Sequence, residues 1–71
     1  MKLPRDISGE DAVRVLSRMG FEVVRQHGSH IRLARGQARL TVPKHKTIAP
    51  KTLQTILRQA GISVNEFLSQ L

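Results

Sequence analysis

Seventy-one residues carry twelve Lys and Arg against five Asp and Glu, a net charge of +7, and no cysteine. That length allows one domain, residues 1–71, with roughly a dozen apolar core side chains and no deep cofactor pocket, so an active site has to lie on a surface. The charge points to polyanions or an acidic protein partner, while the missing cysteines exclude disulfides and thiolate metal sites and fit a reducing cytoplasm.

Met1-Lys2-Leu3-Pro4 is too short and polar for a targeting segment, and no apolar run reaches membrane-span length. Ser8-Gly9-Glu10-Asp11 reads as a helix N-terminus, with acidic residues where the helix dipole favours them. Ala12, Val15, Leu16 and Met19 then form one apolar stripe, with Arg14 and Arg18 on the outer face and Gly20 as the stop. Phe21 to Gln26 is β-branched and aromatic, and reads as a strand. His27-Gly28-Ser29 is the turn. His30 to Arg35 alternates, Ile31 and Leu33 on one face and His30 and Arg32 on the other. After Gly36-Gln37, Ala38 to Val42 alternates again, Leu40 and Val42 inward, until Pro43 ends it.

Lys44-His45-Lys46-Thr47 is a basic loop. Pro50 suits the first position of a second helix, whose stripe is Leu53, Ile56, Leu57 and Ala60, with Gly61 closing it. Ser63-Val64-Asn65-Glu66 is a capping box that opens a short last helical turn. The expected fold is α+β: α-β-β-β-α, a three-stranded antiparallel sheet with two helices packed on one face. The other sheet face would then be open and basic, carrying His30, Arg32, Arg39 and Thr41.

That open face is where chemistry is expected. Histidine exchanges protons near neutral pH, and His30 starts a strand directly after a glycine turn, with Arg25 and Arg32 on either side. A proton-transfer group in a cationic patch is what metal-free cleavage of RNA needs. Ser29 and the Gly28 turn could hold phosphate oxygens, with Arg25, Arg32, Arg39, Lys44 and Lys46 supplying charge. His45 is a candidate second proton carrier or phosphate contact, and His27 reads as a solvated turn residue. The three histidines, without cysteine or a nearby carboxylate, make a poor metal set, so no metal and no cofactor is expected. Phe21 and Phe67 are the only aromatics, which argues against base-stacking platforms.

These residues resemble HicA-type toxins, in a stretch from about residue 7 to 71. Arg25-Gln26-His27-Gly28-Ser29-His30 before an alternating strand resembles the family's hallmark. Further likenesses are Gly20-Phe21, Val42-Pro43-Lys44-His45, Pro50 to Leu53, Ile56 to Ile62 and Glu66-Phe67-Leu68. Lys51 departs from the family's usual Gly, at a position that only starts a helix. The resemblance implies a double-stranded-RNA-binding-domain-like fold. It also implies a messenger-RNA-cleaving toxin with His30 as its catalytic histidine, restrained by a HicB-type antitoxin covering the site. The competing reading is a non-catalytic double-stranded-RNA-binding module, which His30→Ala separates from a nuclease.

Overall fold

The computed structural model describes residues 6–71, so Met1 to Pro4 lie outside the described residues. Six elements follow in chain order: α1 (Gly9–Arg18), β1 (Glu22–His27), β2 (His30–Arg35), β3 (Ala38–Pro43), α2 (Pro50–Ala60) and α3 (Val64–Ser69). Two helices start with the same device. The Ser8 hydroxyl accepts the Asp11 N–H at 3.0 Å while the Asp11 carboxylate accepts the Ser8 N–H at 3.2 Å. Ser63 and Glu66 repeat it at 3.0 and 3.1 Å. These boxes satisfy donors that a helix start leaves unpaired. They also hold both carboxyl groups below their ordinary pKa. For Asp11 the causes are the Ser8 N–H, then the Ser8 hydroxyl and Arg14; for Glu66 they are the Ser63 N–H and then its hydroxyl.

The strands form one antiparallel sheet in the order β1-β2-β3. Each hairpin closes through two residues led by a glycine at positive φ: Gly28 at 59° before Ser29, and Gly36 at 58° before Gln37. Glycine at the first turn position suits a tight hairpin whose twist matches that of its strands. Ile31, Leu33, Leu40 and Val42 face the helices. There they form one core with Ala12, Val15 and Leu16 of α1, Leu53, Ile56, Leu57 and Ala60 of α2, and Phe21, Ile48 and Phe67. Both helices therefore cover one sheet face, as the periodicities require. Lys51 is exposed in the first turn of α2 and leaves the helix intact.

β1 departs from expectation. Its valines predict a strand with a buried face, yet every β1 residue is exposed, with Val23 at 48% and Val24 at 55%. The helix stripes are occupied by β2 and β3 and by Phe21, just before β1. A register shift between Val23 and Arg25 leaves Val24 as an extra residue at the sheet edge, a β-bulge.

At the far end of β2, Arg35 lies on the helix side. Its guanidinium donates to Met19 O at 2.7 Å and Ala60 O at 3.2 Å, and sits 4.5 Å from the Phe21 ring centroid. It thus caps carbonyls at the C-terminal ends of α1 and α2 together. His30 begins the same strand about 16 Å away. Among the described residues, no helix is long and apolar enough to cross a membrane.

Candidate active site

His30 takes its position from two neighbours. In the sheet register it stands opposite His27 on β1 and opposite Pro43 on β3. The next rung on the same face pairs Arg32 with Arg25 and Thr41, and the one after pairs Ala34 with Glu22 and Arg39. Two residues along a strand span about 7 Å, so the two arginines sit one phosphate's reach from the two histidines. His27, His30, Arg25 and Arg32 are all exposed. With Thr41 they line a depression of about 310 Å³. No carboxylate lines it.

The turn that presents His30 is held from below. The Lys44 N–H donates to Ser29 O at 2.6 Å, joining the loop after β3 to the β1–β2 turn. That loop is in turn tied to the start of α1: the Gly9 N–H donates to His45 O at 2.9 Å, and the Ile48 N–H to Ile7 O at 2.7 Å. Gly9 is buried against it, and any Cβ there would overlap the Pro43 carbonyl oxygen. The basic loop is therefore part of the scaffold.

Among the described residues, no ion pair neutralises the basic groups at this end. Among those residues the one ion pair is Asp11–Arg14 at 2.6 Å. Arg35 is bonded to the helix ends, and Arg39 folds back onto its own turn, donating to Gly36 O at 2.7 Å and Ala38 O at 3.1 Å. Arg25, Arg32, Lys44 and Lys46 form no side-chain hydrogen bond among the described residues and remain available for an anion. Phe21 and Phe67 are 2% and 0% exposed, so neither can stack on a base.

A family model described as HicA toxin of bacterial toxin–antitoxin matches residues 9–62. The chain belongs to the HicA toxin family. The matched span runs from the first residue of α1 through the sheet and α2, and so contains every candidate site residue; α3 lies beyond it. No curated protein matches the chain. Membership makes this a toxin of a toxin–antitoxin system.

Of the candidates, the fold gathers Arg25, His30 and Arg32 in one depression, with Gly28 and Ser29 forming the adjoining turn. Lys44, His45 and Lys46 line a different one with Ser8 and Glu10 on the α1 side. Arg39 lines a groove between β3 and α2, which meets the first depression at Arg32 and Thr41. His27 is the residue that sequence reasoning passed over. It belongs to β1 and not to the turn, and it faces His30 directly. The signal was present in Gly28-Ser29: a two-residue hairpin loop places its flanking residues opposite one another on one face.

Proposed function

We propose that this HicA-family chain is a metal-independent endoribonuclease, an mRNA interferase, in which His30 acts on the 2′-OH of RNA. The observation that carries this reading is an exposed imidazole, fixed by a hairpin and set on an open sheet face beside two arginines that are unpaired among the described residues. RNA brings its own nucleophile. His30 accepts the 2′-OH proton as the 2′-oxygen attacks the adjacent phosphorus, and the P–O5′ bond breaks to give a 2′,3′-cyclic phosphate and a 5′-hydroxyl. Arg25 and Arg32 neutralise the charge that builds on the non-bridging oxygens. Ser29 and the backbone N–H groups of the Gly28 turn hydrogen-bond the phosphate as it seats. Lys44 and Lys46 hold the flanking backbone.

Among the described residues, no three His, Asp or Glu side chains come together where they could hold a metal ion, and the proposed mechanism calls on neither a metal nor a cofactor. The natural restraint is an acidic antitoxin of the HicB type, seated over His30, Arg32 and the Lys44–Lys46 loop, with both partners acting in the cytoplasm where messenger RNA is found.

The deciding experiment compares wild type with His30→Ala, by growth after induction and by cleavage of purified RNA in EDTA. Cleavage in EDTA that His30→Ala abolishes, while RNA binding survives, supports the reading. Equal behaviour of the two proteins identifies a non-catalytic RNA-binding module. Cleavage that EDTA stops and magnesium restores refutes the metal-free mechanism.

A further inference from the structure

The geometry points to His27 as the second half of the catalytic apparatus: the general acid that protonates the leaving 5′-oxygen while His30 removes the 2′-OH proton. This inference rests on the ribonuclease reading above. It starts from the register of the first hairpin. His27 and His30 are direct cross-strand partners, closed by the two-residue Gly28-Ser29 loop. Residues so paired hold their Cβ atoms about 5 Å apart on the same face. Two imidazoles leaning apart from that base can stand on opposite sides of one phosphate. Displacement at phosphorus needs this arrangement, because the entering and leaving oxygens take opposite apices.

The steps balance without a further reagent. Neutral His30 takes the 2′-OH proton and becomes an imidazolium. The 2′-oxygen forms its bond to phosphorus as the bond to O5′ breaks. The His27 imidazolium gives its proton to O5′ and becomes neutral. A water molecule can then open the cyclic phosphate with the two roles exchanged, returning both histidines to their starting forms.

The other histidine fits this role less well. His45 lines the depression beside Ser8 and Glu10, and its carbonyl is committed to the Gly9 N–H. His27 shares the His30 depression with Arg25, Arg32 and Thr41. The groups facing His27 are His30 across the ladder and Arg25 two residues back, with Arg32 on the diagonal. Pro43 and Thr41 of β3 bring no charge, and Lys44 begins beyond Pro43, bonded through its N–H to Ser29 O. His27 is exposed and makes no side-chain hydrogen bond among the described residues, so no structural duty accounts for it.

The test separates protonation of the leaving group from everything else. Wild type, His27→Ala and His30→Ala are assayed on an RNA oligonucleotide with one cleavable linkage. The same linkage is then given a bridging 5′-sulfur, a leaving group that departs as an anion without an acid. Circular dichroism checks that each variant is folded. The expected result is that His27→Ala cleaves the oxygen linkage roughly 10²–10⁴-fold more slowly than wild type and the sulfur linkage within a few-fold of it. His30→Ala should fail on both. Equal slowing of both linkages by His27→Ala, or no slowing of either, overturns the assignment while leaving His30 in place. A wild-type protein that cleaves neither linkage overturns the ribonuclease reading itself.

Discussion

Gly9 offers a test of whether the loop after β3 governs events at His30 from the far side of the sheet. A Cβ added there would overlap the Pro43 carbonyl oxygen, lie 2.9 Å from Lys44 Cα and 3.1 Å from the Pro43 carbonyl carbon. All are backbone atoms, so no side chain can swing aside; the helix start or the loop has to retreat by roughly 1 Å. Two effects compete in Gly9→Ala. Alanine is favoured over glycine in a helix by up to about 1 kcal/mol. Overpacking costs about 1–3 kcal/mol, and the displaced loop strains the Gly9 N–H bond to His45 O, worth about 1 kcal/mol more. The penalty wins, and a net loss of about 2 kcal/mol is expected. The displacement then passes through Lys44, whose N–H holds Ser29 O, to the turn presenting His30. A shift of about 1 Å at a reacting group can cost about 10²-fold in rate. Urea unfolding followed by far-ultraviolet circular dichroism gives the first number. Cleavage of a short fluorescent RNA under folding conditions gives the second. A Gly9→Ala protein as stable as wild type, or one destabilised but cleaving at the wild-type rate, refutes the coupling.

The further outcomes concern charge. The folded pKa values of Asp11 and Glu66 lie below their ordinary ones, so the unfolded chain binds more protons at these sites. The stability they add is full above about pH 5 and is lost as the pH falls through the lowered folded values. Asp11→Ala with Glu66→Ala should therefore be less stable than wild type at pH 7, and the gap should narrow at pH 2; urea midpoints showing an equal gap at both would contradict this. For RNA binding, neutralising Arg32, Lys44 and Lys46 together should flatten the log–log salt slope by about 2, since each phosphate contact to single strands contributes about 0.7. The same variant should associate more slowly with the acidic antitoxin at low salt. Arg39→Ala should leave the slope nearly unchanged because its guanidinium is engaged by its own turn; an unaltered slope in the triple variant would place the RNA elsewhere.

Most of the fold is legible where local chemistry and global packing agree. The Ser8 and Ser63 boxes, the glycine-led turns, the His30–Arg35 alternation and both helix stripes are each written in adjacent residues. What is not legible depends on distance. Val23-Val24 looks like a core strand, and nothing nearby says that the helices cover β2 and β3 instead. Arg35 reads as one more surface charge until its two carbonyl partners, sixteen and twenty-five residues away, are in place. The need for glycine at position 9 comes from Pro43 and Lys44, far along the chain. At the site, alternation correctly sets His30 and Arg32 on the open face. Placing His27 beside them required the hairpin register, because counting the turn as two residues or three sends that side chain to opposite faces.

The open face contributes nothing to the core. His27, His30, Arg25 and Arg32 are exposed, and among the described residues none anchors a helix or a turn through a side-chain hydrogen bond. Arg35, which does anchor, lies at the other end of the hairpin and on the other face. Harm and foldedness can therefore be lost independently. One replacement at His30 would leave a sound, well-packed protein with its basic surface intact, still able to engage an acidic partner. Under the proposed mechanism, in a lineage where cells are selected to escape the toxin, such a protein is an easy endpoint: inert toward RNA, yet able to draw an antitoxin away from active copies.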